Sequence, residues 1–288
     1  KSRFLQEADG RKGTASAADE LCGSALIRRR LRHSGGKETM FTEIKRILNR
    51  LPGQVGCEIY YPASGERYSY NAEQPLMAAS VIKLAVMAEA FRQREAGILR
   101  FDELVEIRRE DKLPSCGALA YMHDGLQVTV GDLGTLMIIL SDNTATNLLI
   151  DKLDRDAINQ TIRKLGLTAT QLNRKLFMPE LSRQGIENYV SAHDMCVFFE
   201  LLLTEKIVSP EASREMLGIL RNQRLNGKMP FYLHDRGIQI AHKTGEDDGI
   251  TNDVGVIFKD APVILCFLSN NTVVPQAERA IQEIAAMV

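Results

Sequence analysis

The sequence has no tryptophan, few aromatic residues and no long apolar run. Its 288 residues are 44% hydrophobic and only 6% aromatic. These proportions are ordinary for a globular domain, and a chain of this length can bury a substantial core. Because no run of 18 apolar residues occurs, the sequence predicts no membrane span.

Cysteines are few, odd in number and scattered along the chain. No two of them have the C-x-x-C spacing. This pattern argues against a disulfide framework and against a zinc site, so buried hydrophobic roles are expected. The five are Cys22, Cys57, Cys116, Cys196 and Cys266.

An excess of charge of either sign is also missing. The formal net charge is -1, which gives no electrostatic reason to expect nucleic acid or an anionic membrane as a partner. We therefore expect a small-molecule substrate, and we expect a monomer.

Residues 1–37 differ in character from the rest of the chain. They are polar, with a basic cluster at 28–33, and contain no apolar segment of signal-peptide length. They are expected to be a disordered leader, or a tag or vector-derived segment. The alternative is a basic arm that binds a partner.

Hydrophobic periodicity places strands at both ends of the remaining chain and helices between them. Because an isolated hairpin is marginally stable, the two groups of strands should form one sheet. The predicted fold is α+β: an antiparallel sheet of about five strands flanked by helices, plus an inserted all-helical lobe. The α/β lobe comprises 38–76 and 233–288, the helical lobe comprises 77–232, and a cleft should separate them. Strands are predicted at 55–61, 66–70, 238–243, 254–258 and 263–268, and helices at 39–51, 80–96, 130–140, 144–153, 156–165, 191–203, 210–220 and 274–287.

The first chemical signal is the stretch "AASVIKLAVMAEAF", residues 78–91. Ser80 and Lys83 are three residues apart, so on a helix their side chains share a face and can meet. Apolar neighbours should bury the Lys83 amine, which would lower its pKa and let it accept a proton from a hydroxyl. The alternative is an N-cap serine with a lysine that extends to solvent.

The second signal is Ser141-Asp142-Asn143, between two helical segments. The tripeptide could be only a helix-terminating turn, in which Asp142 or Asn143 caps the next helix. In the functional interpretation, Ser141 relays a proton and the Asn143 amide holds a substrate carbonyl.

The third signal is Lys243-Thr244-Gly245, at the end of a predicted strand. The edge of a strand can bind an extended substrate, and Gly245 permits close approach. A cation and a hydroxyl suit a substrate carboxylate. The alternative is a polar strand end before a turn.

The ordered triple S-x-x-K, S-D-N and K-T-G is typical of the penicillin-recognising serine enzymes. From Thr39 to the C-terminus the chain resembles the class A β-lactamase family. The likeness extends to "DGLQVTVGDLGTLMIILSDNTATNLLI", "AHKTG" and "GITNDVGVI".

The resemblance implies that Ser80 is the nucleophile of an acyl-enzyme, and that Lys83 is either its proton acceptor or the residue that maintains the proton network. Ser141 would pass the proton on, and Asn143 would hold a substrate amide. A substrate carboxylate would bind Lys243 and Thr244, beside Gly245. The backbone amides of Ser80 and Glu246 would form the oxyanion hole. The resemblance implies no metal and no organic cofactor, and it implies export to the periplasm or medium.

The loop before Ser191 departs from the family pattern. Class A β-lactamases carry a glutamate there that activates the hydrolytic water. If 179–181 is matched to the family's Pro-Glu-Leu, Met178 occupies the glutamate position. If the loop is instead anchored through Asn188, Glu187 is a carboxylate at the wrong offset. Glu180 and Glu187 are otherwise interpreted as solvated loop charges.

Two further departures concern the substrate carboxylate. Glu246 follows the K-T-G tripeptide where many β-lactamases have a small residue, and "DDGITND" lacks the arginine that many class A enzymes keep there.

The main hypothesis is a serine β-lactamase-type hydrolase with slow deacylation. The alternative is a D-alanyl-D-alanine carboxypeptidase, similar to penicillin-binding proteins and inhibited by penicillin. A sensor that is acylated as a signal is the non-enzymatic possibility.

Overall fold

The structure is a computed structural model that describes residues 36–114 and 116–288. The prediction for 1–37 lies outside the described residues, except that Gly36 and Lys37 begin the first helix. None of the helices in the described ranges is long and apolar enough to cross a membrane.

The α-helices of these ranges are α1 Gly36–Leu48, α2 Lys83–Glu95, α3 Val130–Ile139, α4 Asn143–Leu153, α5 Arg155–Lys164, α6 Pro179–Ser182, α7 Ala192–Leu203, α8 Pro210–Arg221 and α9 Val274–Met287.

The main sheet draws its strands from both ends of the chain, as predicted. Its strands are β1 Gln54–Tyr61, β2 Glu66–Tyr70, β7 Gln239–Asp247, β8 Ile250–Phe258 and β9 Pro262–Asn270. The sheet is fully antiparallel, with the order β2-β1-β9-β8-β7. The three C-terminal strands are three or four residues longer than predicted, because polar residues at their ends still pair.

Side-chain alternation along β9 shows how the sheet separates two cores. Leu265 and Phe267 face a core shared with α1 and α9, whereas Ile264 and Cys266 face the larger core of the helical region. The predicted flanking of the sheet by the first and last helices is therefore confirmed. Strand β7 lies at the sheet edge that faces the helical region.

The helix predicted from Ser80 begins differently. Residues Ala79–Ile82 form a 3₁₀ turn, and the α-helix starts only at Lys83. The left-handed φ of +42° at Ala79 prevents an α-helical entry there. In the 3₁₀ turn the Lys83 N–H donates to the Ser80 carbonyl, so the two residues still lie on one side.

The sequence analysis missed two short ladders. One pairs β4 Leu104–Ile107 with β5 Leu126–Thr129, and the other pairs β3 Leu76–Met77 with β6 Tyr189–Val190. Strands of two to four residues carry too few alternations to be recognised. The β3-β6 pair joins the chain entering Ser80 to the end of the 173–188 loop.

Ser191 and Asp194 have the spacing of a capping box, but only half of the box forms. The Ser191 hydroxyl accepts from the Asp194 N–H at 3.0 Å. The Asp194 carboxylate instead accepts from the Ala169 N–H and the Thr170 hydroxyl. It therefore fastens the chain after α5 to the start of α7.

Candidate active site

Ser80 lies on a tight turn that neighbouring polar side chains hold in place. The Asn252 amide donates to the carbonyls of Met77 and Ala78, both at 3.2 Å. The Asn270 side chain accepts from the Met77 N–H at 2.7 Å. These bonds fix the strained Ala79 backbone, which presents half-buried Ser80 to the cleft.

Gly245 lets strand β7 approach this turn closely. A Cβ at position 245 would lie 2.9 Å from the Ala78 carbonyl oxygen and 3.1 Å from the Val81 side chain. A larger residue would therefore push the strand away from Ser80. The close approach brings the K-T-G strand and the S-x-x-K turn into one site.

The Lys83 side chain is fully buried and ends among the S-D-N residues. Its amine donates to the Ser141 carbonyl at 2.6 Å, the Ser141 hydroxyl at 3.0 Å and the Asn143 side-chain oxygen at 2.9 Å. Among the described residues no hydrogen bond joins the Lys83 side chain to the Ser80 side chain. The sequence predicted that these two side chains could meet, whereas the Lys83 amine donates to Ser141 and Asn143 instead.

Lys243 reaches the same serine from the opposite side. Its amine lies 3.0 Å from the Ser141 hydroxyl and also donates to the Thr244 carbonyl at 2.7 Å. Ser141 therefore sits between two buried amines, in a backbone conformation with φ +55°. A hydroxyl that both donates and accepts can pass a proton between them.

Both amines lose protons more readily than ordinary lysines. Burial lowers the pKa of Lys83 well below its usual range, and the charge of Lys243 lowers it further. Burial, followed by the charge of Lys228, lowers the pKa of Lys243 to about 7. An unprotonated amine and a protonated one can therefore share this site at neutral pH.

Asp142 has the structural role that the sequence analysis gave as an alternative. Its carboxylate caps α4 by accepting from the Ala145 N–H at 2.9 Å. It also accepts from the N–H groups of Ala118 and Leu119. The capping residue and the site residues Ser141 and Asn143 thus share one tripeptide.

The 173–188 loop forms another wall of the cleft. Asn188 is buried and closes the loop, since its side-chain oxygen accepts from the N–H groups of Asn173 and Arg174 at 2.8 and 3.0 Å. Its own carbonyl accepts from the Ala78 N–H at 2.8 Å. Asn188 therefore anchors the loop beside the Ser80 turn.

The carboxylates of this loop do not offer an evident base. Met178 lines the cleft. Glu180 is exposed and is not among the residues lining the cleft, as expected of a solvated charge. Glu187 lines the cleft but forms an ion pair with Arg174, with side chains only 18% and 11% exposed. The solvated-charge interpretation of Glu187 is therefore wrong.

Sequence reasoning missed one buried cation of the site. Lys228, in the chain between α8 and β7, is 3% exposed and forms an ion pair with Glu246 at 2.9 Å. A single lysine in the polar segment "RNQRLNGKMP" carries no sequence signal. The sequence analysis also missed Asn252 and Asn270, because a polar residue within a strand does not indicate a role in a site.

These elements enclose a cleft of about 630 Å³. Its walls combine a hydroxyl on a strained turn, carboxylates and an apolar stretch at 176–179. The buried Lys83 amine lies behind this wall and contacts its Asn143 side chain. Such a cleft can bind a small polar molecule and move a proton away from a hydroxyl. Its lining includes Ser80, Cys116, Asn143, Met178, Glu187, Asn188 and Glu246.

Comparisons with known proteins agree with this geometry. Residues 39–288 match the family described as the Beta-lactamase enzyme family. A β-lactamase of Rhodobacter capsulatus is 25% identical, with 76% of this chain and 75% of the relative covered. The structure of a β-lactamase from Sphaerobacter thermophilus has 32% identity and a TM-score of 0.78, covering 87% of this chain and 94% of its own.

A third similar structure is that of a PBP-A mutant in an acyl-enzyme complex with penicillin G. It is 25% identical, with a TM-score of 0.78, and covers 87% of this chain and 95% of its own. The family match spans most of the chain, so this protein belongs to the Beta-lactamase enzyme family. Membership in that family supports a hydrolase that acts on β-lactams.

Proposed function

We propose that the protein opens β-lactam amides by transfer of the acyl group to Ser80 and releases the acyl group slowly. The Ser80 oxygen attacks the lactam carbonyl, the carbon–nitrogen bond breaks, and the ring nitrogen takes up a proton. The acyl-enzyme then needs water to regenerate Ser80.

The observation that carries this proposal is the Ser141 hydroxyl held 3.0 Å from both the Lys83 and the Lys243 amines. A proton from Ser80 can pass to Lys83, and Ser141 can deliver one to the departing nitrogen. Catalytic hydrogen bonds are often longer in the unbound enzyme and tighten on binding.

Slow release of the acyl group is supported by the side chains of the 173–188 loop that line the cleft. Met178 cannot accept a proton, and the Glu187 carboxylate is paired with Arg174. A positioned general base contributes about 10² to 10⁴-fold to a rate. Acylation retains Lys83, whereas hydrolysis of the acyl-enzyme lacks a comparable group.

Intact-mass spectrometry after mixing with benzylpenicillin tests this proposal. We expect one penicilloyl group per chain within seconds, persisting for minutes or longer, and no mass gain in Ser80→Ala. Ser182→Ala is a control that alters another serine lining the cleft. Lack of a mass gain combined with lack of β-lactam hydrolysis would contradict the proposal. Fast turnover would contradict slow release only.

A D-alanyl-D-alanine carboxypeptidase is the second candidate. The apolar residue at Met178 favours it, since a lasting penicilloyl group would make penicillin an inhibitor rather than a substrate. Release of D-alanine from a cell-wall pentapeptide mimic, lost in Ser80→Ala, would support this candidate. A protein that hydrolyses β-lactams rapidly and releases no D-alanine would exclude it.

The pH dependence of acylation follows from the two amines. Lys83 must be unprotonated to act as a base, so the acylation rate should rise with pH through the lowered Lys83 pKa. Lys243 must be protonated to attract a carboxylate, so the rate should fall as pH rises through about 7. The second-order acylation constant reports the free enzyme and should be bell-shaped.

Stopped-flow acylation over about pH 5 to 9 measures this profile. Lys243→Arg should remove the alkaline limb, because arginine keeps its proton throughout that range. If Lys243→Arg leaves the alkaline limb unchanged, the decrease in rate at high pH is caused by a group other than Lys243.

A further inference from the structure

A third buried lysine lies beside the K-T-G strand, and the proposed acylation step does not use it. The Lys228 amine contacts the Glu246 carboxylate at 2.9 Å and lies 3.4 Å from the carbonyls of Gly245 and Asn252. The two carbonyl contacts are long, so the carboxylate is its principal partner. The Lys228 side chain is 4% exposed, whereas that of Glu246 is 51% exposed.

Lys228 lies near the place where a substrate carboxylate is expected. Thr244 and Glu246 are two residues apart on β7, so their side chains leave the strand on the same face. The charge of Lys228 also lowers the pKa of Lys243. Lys228 therefore contributes to the positive potential around Thr244.

Glu246 lines the cleft, and its carboxylate pairs with the Lys228 amine. It therefore takes the place at which Lys228 would otherwise attract the carboxylate of a bound ligand. Asp247 and Asp248 line the same rim of the cleft and add negative charge. An incoming carboxylate must displace Glu246 from Lys228 or bind beside it against repulsion.

We propose that Glu246 is a specificity-determining residue that holds Lys228 as an internal carboxylate and so disfavours ligands with a carboxylate at this subsite. Ligands that are uncharged there, such as esters or amides, are not penalised. When the charge of Glu246 is removed, Lys228 becomes the cation that binds the ligand carboxylate. This inference rests on the proposed acylation of Ser80.

The experiment compares second-order acylation constants for benzylpenicillin and for its methyl ester, which differ only in that charge. Glu246→Gln keeps the shape of the side chain and should raise the acid-to-ester ratio about tenfold. Asp248→Asn removes a charge from the same rim but not from Lys228, and should change the ratio less than about threefold. In about 1 M salt the effect of Glu246→Gln should shrink.

Lys228 is tested in the Glu246→Gln background. Adding Lys228→Met should lower the acid-to-ester ratio about tenfold, whereas Lys228→Arg should retain it. A purely structural role of Lys228 would slow acid and ester equally and leave the ratio unchanged. Thermal denaturation verifies folding, and if Lys228→Met does not fold, the Glu246→Gln ratio decides alone.

An unchanged ratio in Glu246→Gln, with both ligands still acylating Ser80, would overturn the inference and leave the proposed function intact. Lack of any Ser80 adduct with acid and ester in every variant would instead contradict the proposed function.

Discussion

Replacing Lys83 by methionine is expected to lower the rate of Ser80 acylation by about 10² to 10⁴-fold. The Lys83 amine is buried, is hydrogen-bonded to Ser141 and Asn143, and has a strongly lowered pKa. Methionine has nearly the same length and cannot accept a proton. The substitution therefore removes the proton acceptor while keeping most of the packing around α2.

Stopped-flow acylation by a chromogenic cephalosporin measures this effect. Lys164→Met is the matched control, because Lys164 is exposed at the end of α5, and it should acylate at the wild-type rate. Thermal denaturation shows whether Lys83→Met remains folded. A folded Lys83→Met protein that acylates within about threefold of wild type would show that Lys83 is not the base.

Replacing Met178 by glutamate is expected to raise the rate of acyl-enzyme hydrolysis about 10²-fold, the lower end of the range for a positioned base. Met178 lines the same cleft as Ser80 and lies at the N-terminus of α6. A carboxylate there can accept a proton from water.

Met178→Gln is the control, since glutamine has the shape of glutamate but cannot act as a base. Decay of the penicilloyl mass should be faster in Met178→Glu and unchanged in Met178→Gln, with acylation similar in both. Equal decay in the two variants would mean that loop rearrangement, and not a general base, controls hydrolysis.

The sheet and most helices could be predicted because their periodicity is local. The α9 helix was predicted with its observed ends, and β2 likewise. The α2 helix was predicted to begin three residues too early, because the left-handed Ala79 lies in a turn that Asn252 and Asn270 hold. These two residues are 174 and 193 positions from the backbone groups that they bind. Hydrophobic periodicity depends on neighbouring residues only, so it cannot predict such tertiary contacts.

The three motifs could be found from the sequence because each has a fixed spacing. The K-T-G motif was expected at the end of a strand, whereas it lies within β7, which continues to Asp247. What the spacing could not give is the hydrogen-bond partner of each group. Ser141, rather than Ser80, contacts Lys83, and Lys228 reaches Glu246 from a segment with no motif. The sequence analysis considered Glu246 without a partner, whereas in the structure its carboxylate forms an ion pair with the buried Lys228 amine.

Peptide mapping of the protein after reaction with benzylpenicillin tests the central claim most directly. The account predicts that the penicilloyl group is attached to the peptide that carries Ser80, in an amount approaching one per chain, and that Lys83→Met forms it far more slowly. A penicilloyl group on Cys116 or on a lysine, with Ser80 unmodified, would contradict it.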